Sequence, residues 1–147
     1  MNTVKVFKDS VLFKGLEERI INILANISET ANIPSETVIF SEGMPSDTMF
    51  VIASGRVEVL KDTAQGNESV IGELETGDVL GILSLIAGGK RTVTVKAKEQ
   101  VVLVTITRDN FDKLVSNNIH AAYQIIVSIT KYFADLFKDS KVLKEIM

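Results

Sequence analysis

The chain has 147 residues, 46% of them apolar, with a formal net charge of −3, one histidine and no cysteine. That length and apolar content suit one folded domain with a sizeable core, and they exclude a disordered chain. The lack of cysteine excludes disulfides, thiolate zinc sites, cysteine-ligated clusters and a cysteine nucleophile, and the charge carries no basic run of the kind that grips nucleic acid.

Residues 15–27, GLEERIINILANI, place Leu16, Ile20, Leu24 and Ile27 on one helical face, with Glu17 and Glu18 at the positive end. Pro34 then breaks the chain before the next element. From about 37 to 106 the texture is β: TVIF, TMFVIAS, RVEVL, ESVIGEL, RTVTVKA and VVLVTI alternate with turn signals such as EGMPSD, DTAQGN and ETGD. Many short strands without intervening helices predict a β-roll or sandwich rather than a parallel α/β sheet. From about 108 to 146 the pattern is helical again. Thr107 is placed to cap a short helix through Val115, and a longer helix is expected from Ile119 toward Met147. The predicted fold is therefore mainly β with flanking helices, a single domain over 1–147.

No apolar run reaches the length of a membrane span, and MNTVKVFKDSVLF lacks a signal-peptide core. The expectation is a cytoplasmic protein that meets no membrane. With His120 alone, a multi-histidine metal site cannot form within one chain; a serine triad would need His120 as its base, and no G-x-S-x-G stretch accompanies it. A metalloenzyme is set aside on that ground, and no enzymatic activity, metal or cofactor is expected. His120 itself reads as a surface or interface residue of the long helix.

The stretch with chemical content is GILSLIAGGKRT, residues 81–92. If RTVTVKA is a strand, Val93, Val95 and Ala97 share one face and Thr92, Thr94, Lys96 and Lys98 the other. Arg91 has the parity of the apolar set and should point inward. An inward guanidinium is costly unless paired, and its planar fork of donors suits a phosphate or carboxylate. Gly81 is free to adopt angles closed to other residues, and Ile82–Ala87 can form one helical turn that Gly88-Gly89 ends. A helix start exposes N–H groups to an anion. Such a turn and the arginine can grip one anion together. The alternative is an internal ion pair of Arg91 with Glu73, Glu75 or Asp78.

At this point the sequence resembles a known family. GDVLGILSLIAGGKRTVTV is similar to the phosphate-binding cassette of cyclic nucleotide-binding domains, through Gly77, Asp78, Gly81, Leu83, Leu85, Arg91, Thr94 and Val95. These domains occur in catabolite-activator-type regulators, cyclic-nucleotide-dependent kinases and ion channels. The earlier EGMPSDTMFVIASGRVEVL extends the likeness through Gly43, Asp47, Gly55, Val57 and Val59, so that it covers roughly residues 7–140. The resemblance implies a regulatory sensor with a β-roll fold. Its cyclic phosphate would sit on Arg91 and on N–H groups near Leu83 and Ser84, with the Gly81 backbone near the ribose and a base (of cAMP or cGMP) against strand side chains and the final helix. The main departure is Ile82, where the family carries a glutamate that accepts from the ribose 2′-hydroxyl. Isoleucine cannot accept, and losing a hydrogen bond to a charged group costs about 1.5–3 kcal/mol, roughly 10- to 150-fold in affinity. Lys90 and Val93 depart less. Thr92, which favours cGMP in some members, reads as a strand-surface threonine here. Asp47 and Asp78 sit in turns and are assigned to structure.

Two further readings compete with the sensor: a degenerate module that binds nothing small and serves protein association, and the sensor part of a transcription regulator. The chain ends at Met147, so no helix-turn-helix is expected after the long helix. Ala122, Ile126, Ile129, Phe133, Leu136, Ser140, Leu143 and Met147 fall at alternating spacings of four and three, the pattern of a coiled-coil seam. A homodimer through this helix is the expected assembly, with a small anion as the ligand.

Overall fold

The computed structural model describes residues 1–146, with the side chains of Leu143, Lys144 and Ile146 left aside. Two helices, α1 (Thr3–Asp9) and α2 (Glu18–Asn26), precede eight strands: β1 (Glu29–Ile33), β2 (Val38–Phe40), β3 (Thr48–Ser54), β4 (Arg56–Asp62), β5 (Glu68–Glu75), β6 (Val79–Leu80), β7 (Thr94–Ala97) and β8 (Val101–Thr107). A 3₁₀ turn, Ile82–Leu85, lies between β6 and β7. Helices α3 (Arg108–Asn117), α4 (Ile119–Leu136) and α5 (Lys141–Ile146) close the chain. The strands form two four-stranded antiparallel sheets, in the orders β1-β8-β3-β6 and β2-β7-β4-β5. This is the expected β-roll with flanking helices.

The first sheet is covered on both faces, which explains why VVLVTI reads as a continuous apolar run rather than an alternating one. Val101 and Leu103 of β8 face the second sheet, where they join Ile52, Val57, Val95 and Ala97. Val104 and Ile106 face the other way and pack with Phe7, Ile20, Leu24, Phe111 and Ile125 of the helices. The second sheet is buried on one face only. Its outer face carries Lys98 between Glu58 and Glu73, at 3.4 and 2.8 Å.

The helix boundaries follow their caps. Thr107 accepts from Asn110 N–H at 3.1 Å and Asn118 from Ala121 N–H at 3.1 Å, each satisfying a donor of a helix's first turn. Two elements were not anticipated: α1, capped by Asn2 at 3.1 Å, and β1, whose ETANI has little apolar content because it is a short edge strand.

The long C-terminal helix is present as α4, but its expected extent is corrected. It does not continue toward Met147; α4 ends at Leu136, and a turn over 137–140 separates it from α5. Ile129 is the last fully buried residue of α4, and beyond it the packing that sustains a helix thins out just where Asp139-Ser140, poor helix formers, arrive. The coiled-coil seam is corrected with it. Ala122 and Ile129 are buried in the chain's own core, and Ile126 and Phe133 pack against that core from half-buried positions. Leu136 alone of the α4 members is well exposed, at 55%. Met147 and the side chain of Leu143 lie outside the described residues.

Candidate functional site

The segment between β6 and β7 is built around Arg91. The strand parity that predicted its direction does not apply, because β7 begins only at Thr94. Arg91 instead sits between an isolated bridge of Pro45 with Lys90 and a bend at Thr92-Val93. Its N–H donates to Met44 O at 2.7 Å, and its carbonyl accepts from Gly43 N–H at 2.8 Å. The β3-side turn thus fixes the backbone and turns the side chain inward, where it is 7% exposed. Thr94, expected on the outer face, is also buried, because its Oγ1 accepts from Glu42 N–H at 2.9 Å under the same turn.

The guanidinium has no ion-pair partner among the described residues. Nη2 donates to the Thr48 carbonyl at 2.8 Å and Nη1 to Ser84 Oγ at 3.1 Å. Nε is buried without any acceptor. Two of the candidate internal partners are otherwise occupied, Glu73 by Lys98 and Asp78 Oδ2 by Glu75 N–H at 2.9 Å within its own turn, and the Glu75 carboxylate makes no ion pair with Arg91. The ring of Phe40 lies 4.2 Å under the guanidinium carbon, and Phe50 lies at 5.5 Å. Burial pushes the Arg91 pKa below its ordinary value, and the Asp47 carboxylate opposes that shift. Arginine nonetheless stays charged. The result is a buried, desolvated cation whose five-donor fork is only partly used by the protein.

Gly81 makes this approach feasible. It has φ +67, and a Cβ placed there would collide with Arg91 Nη1 and lie 2.8 Å from Thr48 O. The Ser84 N–H is already bonded to Gly81 O at 3.0 Å, so of the two expected N–H groups the one on Leu83 is better placed to serve a ligand. Ser84 contributes its hydroxyl instead, 2.6 Å from Ser46 Oγ.

A cavity of about 370 Å³ opens beside this cluster, and all six expected site residues line it: Gly81, Ile82, Leu83, Ser84, Arg91 and Thr92. Ile82 is half-buried against the core, Leu83 is 52% exposed, and Thr92 is exposed at the rim. The sequence reading missed Phe40, Ser46, Thr48 and Lys90 as contributors. Phe133, expected in a dimer seam, is half-buried in the cavity wall. Arg108, at the start of α3, supports the far end of the loop by donating to Ile86 O at 3.3 Å, its guanidinium lying where a Gly88 side chain would be. Among the described residues no cluster of three or more His, Cys, Asp or Glu is arranged to hold a metal, and no helix is long and apolar enough to cross a membrane.

The family model of the cyclic nucleotide-binding domain matches residues 30–118, more than half of the chain. The chain belongs to this family. Among relatives of this cyclic nucleotide-binding domain is a CRP-like cAMP-activated global transcriptional regulator of Mycobacterium tuberculosis, 25% identical over 115 residues, which are 78% of this chain and 51% of that protein. The N-terminal domain of a transcriptional regulator from Streptomyces coelicolor A3(2) has the same fold, with a TM-score of 0.81 at 20% identity, covering 91% of this chain and 96% of that one. The regulatory domain of Toxoplasma gondii PKA, co-crystallised with cAMP, matches with a TM-score of 0.68 at 25% identity over 76% of this chain and 42% of that one. The chain spans about half the length of the first curated relatives it matches.

Proposed function

We propose that this domain is a regulatory sensor without catalysis of its own, which takes a small anion on Arg91 and binds ordinary cyclic nucleotides weakly because Ile82 stands at the ribose position. The observation that carries this reading is the state of Arg91: nine-tenths buried, without a carboxylate partner among the described residues, and with Nε unsatisfied, while facing a cavity. Leaving a buried charged donor unmatched is expensive, and a structural arginine would be expected to have a carboxylate beside it. An anion delivered by a ligand supplies the missing acceptor, in the bidentate geometry that guanidinium favours. Ile82 offers hydrocarbon where a ribose hydroxyl needs an acceptor. The relatives' regulatory names support the sensor role, with this chain as one part of a larger regulatory assembly. The homodimer through the C-terminal helix belongs to this proposal in reduced form, through the outward-facing Tyr123 and Leu136 rather than the buried seam.

The test is calorimetric titration of the wild type and an Arg91→Ala variant with cAMP and cGMP. Weak binding by the wild type, lost in the variant, supports the reading. Nanomolar cAMP binding would overturn the role given to Ile82. A folded wild type that binds neither nucleotide nor any simple anion would leave the protein-association module instead.

A further inference from the structure

The cavity has two chemically distinct ends. One holds Arg91 and the Ser46–Ser84 hydroxyl pair. The remainder is walled by Phe40, Val79, Ile82, Leu83, Val93 and Phe133. Among the described residues neither aspartate nor glutamate lines it, and the remaining cation and hydroxyl, Lys90 and Thr92, are exposed at the rim. Its volume of about 370 Å³ falls within the usual range for sites that enclose small molecules.

These walls discriminate. A ligand hydroxyl or amino group held against Ile82 and Val93 gives up its bonds to water and finds no side-chain acceptor, which counts against polyhydroxylated bodies. An apolar body there is rewarded in proportion to the area it buries. The head is restricted as well. Among the described residues Arg91 is the single buried cation of the site, so a second negative charge would face hydrocarbon or reach only the exposed Lys90.

We infer that the site selects an organic monoanion, with a phosphodiester- or carboxylate-type head on Arg91 and an aryl or alkyl body against Ile82, Val93 and Phe133, in preference to a nucleotide. The inference rests on the reading of Arg91 as an anion grip and adds the class of the ligand's body.

Calorimetry with dimethyl phosphate, diphenyl phosphate and cAMP tests it. Dimethyl phosphate presents the head alone, diphenyl phosphate adds an apolar body without hydroxyls, and cAMP adds a polar one. Diphenyl phosphate should bind about tenfold or more tighter than dimethyl phosphate, and tighter than cAMP. Ile82→Glu should weaken diphenyl phosphate and strengthen cAMP, a crossing of preferences that a general loss of structure does not produce. Arg91→Lys, checked for folding by its melting curve, should weaken all three. If the wild type prefers cAMP to diphenyl phosphate, and Arg91→Lys still weakens both, this inference falls and the anion grip stands. If neither phosphodiester nor cAMP binds a folded wild type, both fall together.

Discussion

The guanidinium carbon of Arg91 lies 4.2 Å from the centroid of the Phe40 ring, and Phe40 itself stacks on Phe50 at 5.8 Å with an interplanar angle of 22°. Phe40 belongs to one sheet and Phe50 to the other, and the guanidinium also lies 5.5 Å from the Phe50 ring, so the cation and the two rings form a three-way cluster that joins both sheets beneath the cassette. A desolvated cation over an aromatic face is worth about 2 kcal/mol. Phe40→Leu keeps an apolar side chain but removes the ring face, and it should destabilise the fold by about 2 kcal/mol in urea unfolding. Phe50→Leu, at the more distant ring, should cost less through this interaction. Equal or reversed losses in the two variants would show that Phe40 acts by packing alone.

Gly81→Ala should cost both stability and anion binding. The residue sits at φ +67, where a Cβ carries a steric penalty of about 1–2 kcal/mol, and that Cβ would also meet Arg91 Nη1. Gly89→Ala is the matched control. It too has positive φ, +98, but nothing lies within 4 Å of its Cβ position. Both variants should melt below the wild type, and only Gly81→Ala should lose anion affinity. A Gly81→Ala protein that binds as the wild type does would mean that Arg91 is not held in place by this contact.

How legible was this site beforehand? Six residues were named from the resemblance to the family's cassette, and all six line the cavity. The inward direction of Arg91 was anticipated through strand alternation, whereas the structure produces it through backbone bonds of Arg91 to Gly43 and Met44. The partners of the guanidinium were not legible. Thr48 contributes a backbone carbonyl, which has no side-chain signature, and both Phe40 and Thr48 stand more than 40 residues from Arg91, beyond any local pattern. The end of α4 was illegible for a different reason. FADLFKDSKV contains neither glycine nor proline, and only Asp139-Ser140 weakens the helix locally; the stop reflects packing that thins past Phe133, which periodicity does not register.

Lys98 on the outer sheet face should leave a signature in acid unfolding. Its hydrogen bond and charge lower the Glu73 pKa below its ordinary value. A carboxylate depressed in the folded state contributes stability above its unfolded pKa, near 4.5, and that contribution disappears as pH falls through the folded value. Lys98 is raised by the same bond, then by the charge of Glu73 and by Glu58, so its share is lost only as pH rises past the ordinary lysine range. Glu73→Gln should therefore flatten the acid limb of a urea-midpoint profile below about pH 5. Because the pair is exposed, the effect should be small and should shrink in high salt. An unchanged acid limb at low salt would remove Glu73 from the account.

The two roles proposed for α4 are separable. Phe133 is half-buried, lines the cavity and packs on the core, whereas Leu136 is 55% and Tyr123 59% exposed. Phe133→Asp should lower the melting temperature and weaken anion binding at any protein concentration. Leu136→Asp should leave the melting temperature of dilute protein nearly unchanged but dissociate the homodimer in sedimentation equilibrium at high micromolar concentration. A wild type that sediments as a monomer there would remove the dimer altogether.

Ile82 makes the sharpest prediction, because it concerns one hydroxyl of one ligand. Its side chain is half-buried against the core at the cavity wall, and among the described residues no carboxylate lines the cavity to take its place. If a cyclic nucleotide enters with its phosphate on Arg91, its 2′-hydroxyl meets hydrocarbon. Removing that hydroxyl then loses nothing. The wild type should bind 2′-deoxy-cAMP at least as well as cAMP. Ile82→Glu supplies a charged acceptor, worth about 1.5–3 kcal/mol, and should restore a preference for cAMP over the deoxy form of roughly 10- to 150-fold. The wall has room for this change only if the new carboxylate reaches the cavity instead of the core behind it. A glutamate buried without a partner would show itself as a lower melting temperature with no gain in affinity. Competition titrations of both ligands against both proteins, beside their melting curves, distinguish these outcomes. A wild type that already prefers cAMP to its deoxy form by tenfold would show that some other group accepts the hydroxyl, and Ile82 would lose the role assigned to it.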